Sequence, residues 1–242
     1  MNTAPATNHL ELNRQAIARC VGFLYIFTNL TAMYAFFAVR GKLMALRDPA
    51  KSASNIAGSE QLFRVGIATE LITIVGVMVL LWGLYVILRR INRDLALLAA
   101  FLRLAENFLL AFITLLEFAA LAAVNGVTNL QAFGADASHA VIYTAFRVYG
   151  DSFNVGFLFL GLGSALFSYL WFRSRYIPRL LAGLGIFASS MMALVSLIII
   201  IYPGTARLGL SYMMPMALYE FGLGFWLLIK GIREPEGANA QR

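Results

Sequence analysis

Apolar stretches of about twenty residues, the length a helix needs to cross a bilayer's hydrocarbon core, recur six times along the chain, and polar or basic residues bound each of them. They predict spans at about 20–39, 65–88, 95–124, 153–172, 180–202 and 212–229. Arg19 and Arg40 flank the first, Arg64 and Arg89 the second, and Lys230 closes the last. Pro178 stands just ahead of the fifth span and Pro215 in the first turn of the sixth, where a missing backbone N–H leaves no helical bond unmade. The pattern predicts an all-α, polytopic transmembrane bundle: one integral membrane domain over residues 1–242, with polar tails at 1–14 and 234–242. The polar stretch Met1 to Arg14 leads into a full-length span with no cleavage-like end, so the first helix is expected to be retained.

Composition sharpens this picture. Of 242 residues 60% are hydrophobic and only 13% charged, with a mean hydropathy of +0.76. Soluble domains carry about 25% charged residues, so a water-facing surface is excluded. The single Cys20 forms no internal disulfide, and one cysteine with two histidines argues against a zinc or iron–sulfur site; sites built from Glu and Asp stay open, and no metal and no cofactor are assigned. The net charge of +7 sits mostly at span ends, where it meets anionic headgroups, so membrane lipids rather than nucleic acid are the expected partners. Counting Lys and Arg in loops and tails gives eleven on the side of the termini and seven on the other, Arg103 lying inside a span. By the positive-inside rule both termini face the cytoplasm. The basic first loop, with Arg40, Lys42, Arg47, Lys51 and Arg64, is the discordant feature.

Four strings have a recognisable order. Asn55 to Arg64 (NIAGSEQLFR) leads into the second span and Asn92 to Glu106 (NRDLALLAAFLRLAE) opens the third. Arg173 to Gly183 (RSRYIPRLLAG) joins the fourth to the fifth, and Trp226 to Gly231 (WLLIKG) closes the sixth. Together they resemble the bacterial multi-pass membrane family known as domain of unknown function 4386, over about Arg14 to Arg233. Ala182 departs from the resemblance, which has glycine after the paired leucines, and this affects packing only. The resemblance implies a six-helix bacterial inner-membrane protein. It brings no activity and no site residues, so the chemistry rests on this sequence.

Ionisable side chains within spans cost several kcal/mol and normally face the protein interior. At about 1.5 Å per residue from Leu95, Arg103 lies roughly 12 Å deep and Glu106 roughly 17 Å. Arg103, Glu106, Asn107, Thr114 and Glu117 share one arc of the third helix at about 100° per residue. Glu220 on the sixth span lies about 12 Å in from the other side, and Asn29 is near the middle of the first. Glu70 and Glu117 fall in the outer third. Asn29, Glu70, Arg103, Glu106, Asn107, Glu117 and Glu220 are therefore the candidate binding residues of a polar cavity open outward, floored by Arg103, Glu106 and Glu220. Equally, Arg103 and Glu106 at i, i+3 can neutralise each other as a structural pair. Two carboxylates and one arginine at one depth oblige a carboxylate to find another donor or a proton.

Three functions compete on these residues. The first is transporter-like handling of a small solute, ion or proton through the cavity, although no internal repeat supports it. The second is a non-catalytic sensor or partner subunit in which the charges are structural; homo-oligomerisation is open in either case. The third is an intramembrane enzyme acting on lipid with Glu106 or Glu220 as base, which lacks a nucleophile. No catalytic residue is assigned. His9, His139 in the third loop and Cys20 have no chemical partner at useful spacing. Glycines 156, 161, 163, 183, 185, 222 and 224 read as close-packing positions. The segment Gly41 to Arg64 mixes apolar and charged residues as a short surface helix or a lid would.

Overall fold

The computed structural model describes residues 6–45, 48–126, 135–203 and 211–233, with no side chains described for 6–13, 135, 136 and 138. All regular structure among the described residues is helical. Helix α1 runs Ala6–Met33 and continues without a break through a π-helical segment, Tyr34–Arg40, into a last turn, Gly41–Leu43; the three together are called α1. A short α2 spans Pro49–Gly58, followed by α3 (Glu60–Leu88), α4 (Arg93–Val124), α5 (Ala135–Ser174), α6 (Arg179–Ile201) and α7 (Met214–Lys230). All but α2 are long and apolar enough to cross a membrane. Their outer faces agree: Phe101, Phe108, Phe112 and Leu115 of α4 and Ile72, Val75 and Trp82 of α3 are all exposed, an apolar surface that hydrocarbon and not water can cover.

The helices start and stop where local chemistry dictates. Asp48 caps α2 by accepting from the Lys51 N–H at 2.9 Å, with Pro49 in its first turn. Asn92 caps α4 by accepting from Leu95 N–H at 2.9 Å. At the end of α7 Gly231 turns out of the helix at φ +67°.

Three sequence expectations shift. The fourth membrane helix is far longer than 153–172, and His139 lies on it rather than in a loop. Arg147, Asp151 and Asn154 interrupt the apolar run there, yet Ile142, Ala145, Phe146 and Tyr149 recur at helical spacing and are all buried, the stripe of a helix with one face inward. The first helix passes beyond Val39, carrying Arg40 inside the bundle rather than at its edge. The tail predicted at 1–14 is helical from Ala6. The tail at 234–242, Arg47 and Arg207 lie outside the described residues, as does the His9 side chain.

In the bundle α5 packs along both α4 and α6, and α1 packs against α3 and α7. At Gly22 the backbones of α1 and α7 touch: a Cβ there would run into Leu228 N and lie 2.7 Å from the Gly224 carbonyl. Beside this crossing the chain ends are clamped. Gln15 donates to the Ile232 carbonyl at 2.7 Å and accepts from the Ile232 N–H at 3.1 Å, while Arg233 N–H donates to the Tyr176 carbonyl at 2.8 Å. Both ends of the described chain thus lie on one face, called the terminal end. Leu84, Leu88, Ala99, Trp171, Leu223 and Leu227 belong to the apolar core nearest it. A second apolar core, with Val39, Phe63, Ile67, Leu121, Ile142 and Phe146, closes the opposite end, and α2 presses Ile56 into it. On α3, α4 and α5 the polar residues of interest come between these two cores in the chain, as does Asn29 on α1, while Arg40 falls between Val39 and Leu43 of the second core.

Candidate functional site

The polar layer divides into two charge clusters. The first gathers on α4 and α7. Arg103 Nη1 lies 3.0 Å from Glu106 Oε2, a contact of charge without the alignment of a hydrogen bond, since neither atom has a hydrogen-bond partner among the described residues. Both residues are buried. Their burial has a backbone cause: α5 presents Gly163 to Arg103, and a Cβ there would stand 2.7 Å from the arginine Cγ and 2.9 Å from the Ala99 carbonyl. Glu220 on α7 accepts from Asn29 Nδ2 at 3.1 Å, and the same amide donates to the Tyr25 carbonyl at 2.9 Å. Glu220, Tyr25 and Tyr219 all lie within electrostatic reach of Arg103. Tyr219 accepts a hydrogen bond from Ser168 at 2.9 Å.

The second cluster centres on Arg40, where the wide π turn of α1 delivers it inside. Arg40 Nε donates to Glu117 Oε1 at 2.6 Å and Nη2 to Glu117 Oε2 at 3.2 Å, a two-pronged grip on one carboxylate. Arg40 Nη1 donates to Glu70 Oε2 at 2.9 Å. The guanidinium also stacks over Tyr149, 5.0 Å from the ring centre. Exposure is 5% for Arg40, 6% for Glu70 and 2% for Glu117, so the bonds form away from solvent, where a charged group left alone is costly. One guanidinium here faces two carboxylates. The same ratio holds in the first cluster. Glu70 and Glu220 both lie within electrostatic reach of Glu106, which couples the two clusters, the second lying nearer the α2 end.

The structure therefore brings six of the seven sequence candidates into the two clusters: Asn29, Arg103, Glu106 and Glu220 in one, Glu70 and Glu117 in the other. Asn107 goes elsewhere. Its amide donates to the Ile74 carbonyl of α3 at 3.0 Å, a strut between helices, and its Oδ1 is buried without a partner among the described residues. Thr114 bonds back to Leu110 of its own helix. Arg40 and Tyr149 were missed, the one read as a span flank and the other as loop. A signal was available: four glutamates inside spans against one arginine call for a second cation, and Arg40 at the end of the first span is the nearest. A groove with room for about 240 Å³ lies between α1 and α3, lined by Ile17, Cys20, Leu24, Val79 and Trp82. It is apolar and faces outward, separate from the charges. No group of metal-binding side chains occurs among the described residues.

Comparison with known families now bears on the chain. Residues 20–231 match the family described as Domain of unknown function (DUF4386). The chain belongs to that family. The match takes in five of the six membrane-length helices of this DUF4386 protein whole, the first from Cys20 onward, and both charge clusters, so the interior charge lies wholly inside the family domain. Comparison with curated proteins finds no match, and neither does comparison with solved structures.

Proposed function

We propose that this DUF4386 protein is a bacterial inner-membrane protein, both termini cytoplasmic, that handles a proton or small cation through its interior carboxylates. The observation that carries the reading is the charge count of the polar layer. Among the described residues Glu70, Glu106, Glu117 and Glu220 are balanced by Arg40 and Arg103 alone. Two negative charges in excess inside a bilayer demand compensation, and a proton or cation taken from solution supplies it. Glu220 is the group best suited to exchange, because its bond comes from a neutral amide rather than a guanidinium. The two apolar cores serve as barriers on either side, so that opening them in turn would expose the layer to one face at a time. Orientation follows the loop charges, with the terminal end inward and α2 outward.

A second reading has its own support. Arg40 is fully engaged by its two carboxylates, as in a structural tie, which suits a sensor or partner subunit. One experiment separates the two. Purified protein in liposomes containing a pH-sensitive dye receives an imposed proton, sodium or potassium gradient. The exchange reading expects flux in the wild type and its loss in a normally folded Glu220→Gln variant. Absence of flux for all three ions, or flux that Glu220→Gln leaves intact, rejects it.

A further inference from the structure

We propose that Arg40, Glu70, Glu117 and Tyr149 form a second proton-binding site, toward the α2 end, that loads the inner carboxylates; this rests on the exchange reading above and names its route. Four helices build the site: α1 gives Arg40, α3 Glu70, α4 Glu117 and α5 Tyr149. The decisive feature is a hydroxyl with nothing to bond. Tyr149 is 6% exposed, its hydroxyl is buried with no hydrogen-bond partner among the described residues, and it lies within electrostatic reach of Arg40, Glu117 and Glu70. A buried hydroxyl ordinarily finds a partner, so this one marks room for a hydrogen that the carboxylates can hold.

The atoms also say which ligand fits. Arg40 occupies both oxygens of Glu117 and Oε2 of Glu70. Among the described residues no hydrogen bond is given to Glu70 Oε1 or to the Tyr149 oxygen, two oxygens where a hard metal cation takes about six. A proton needs one oxygen and one acceptor. In the loading step a hydronium ion gives its proton to Glu70 Oε1 and leaves as water. The new O–H donates to the Tyr149 oxygen, directly or through water, and Arg40 keeps Glu117 as its ionic partner. The cluster passes from one negative charge to none. Discharge runs the other way: the proton leaves Glu70 through water toward the inner carboxylates, of which Glu106 is electrostatically coupled to Glu70 and to Glu220. Arg40, Glu117, Tyr149 and Glu106 are the charged and titratable groups facing Glu70 from the packed helices.

Infrared difference spectra of the full chain in lipid bilayers, recorded across pH, test this by the carbonyl stretch of protonated carboxyl groups. Two titrating signals are expected in the wild type. Glu70→Gln should remove one and spare the other, Glu220→Gln should do the reverse, and Tyr149→Phe should shift the Glu70 signal in frequency and midpoint only. Replacing sodium by choline should change neither. Loss of the Glu70 signal in sodium overturns the choice of a proton. Spectra of Glu70→Gln that superimpose on the wild type overturn the site; should that variant misfold, an unshifted signal in Tyr149→Phe does so instead. If the Glu70 signal stands while Glu220→Gln removes nothing, the inner exchange reading fails and the outer site survives. The opposite result removes the outer site alone.

Discussion

Replacing Arg40 by Gln should be the most damaging single substitution in the polar layer. The variant removes three charge-assisted bonds, at 2.6, 2.9 and 3.2 Å, and strands two carboxylates that solvent barely reaches. Breaking one buried pair costs about 3–5 kcal/mol. Stranding two anions puts the loss at or above the top of that range, against a total stability of about 5–15 kcal/mol for a typical domain. The carboxylates themselves should rank unequally. Glu117 holds two of the three bonds, so Glu117→Gln should cost about 1.5–3 kcal/mol, the worth of a charged hydrogen bond. Glu70→Gln keeps an amide oxygen for Arg40 and removes the surplus charge, so its effect should stay within about 1 kcal/mol. Combining all three Gln substitutions should recover most of the loss, since a neutral cluster strands no charge. Unfolding of the purified variants in mixed micelles, titrated with a denaturing detergent, gives these free energies. A Glu70→Gln variant as unstable as Arg40→Gln, or a triple variant no better than the single, would refute the reasoning.

Arg103→Ala should destabilise the bundle by about 3–5 kcal/mol by leaving Glu106 buried and unpaired, and adding Glu106→Gln should restore part of it; a double variant whose loss equals the sum of the two singles contradicts the pairing. For orientation, in a Cys20→Ser background an impermeant thiol reagent should label Ser54→Cys, on the exposed face of α2, in intact cells and leave Ser174→Cys unlabelled; the reverse pattern inverts the topology.

The spans were legible because a bilayer imposes one length and one polarity on every crossing, and Leu, Ile, Val and Phe satisfy it wherever they fall. The fourth was shortened because run length ignores phase. Arg147 and Asp151 are exposed on α5 while Phe146 and Tyr149 are buried, and only helical periodicity separates the two faces. The glutamates and Arg103 stood out because a charge within a span has few bland explanations. Arg40 did not, since flanking arginines end spans routinely, and no periodicity foretells a π segment that carries a helix one turn further inward. Tyr149 was invisible for a different reason: its significance lies in what its hydroxyl fails to touch.

One consequence follows from the seven π-helical residues Tyr34–Arg40. A π turn holds surplus chain, its bonds running five residues back, as Gly41 N–H does to the Phe36 carbonyl. It therefore works as a phase adjuster. Asn29, upstream of it, keys α1 to Glu220, and Arg40, at its far end, keys the same helix to Glu70 and Glu117. With uniform α pitch, deleting one residue between them would swing Arg40 by about 100° relative to Asn29, and only one key could fit its lock. The spare length lets a single rod satisfy two fittings cut at different angles.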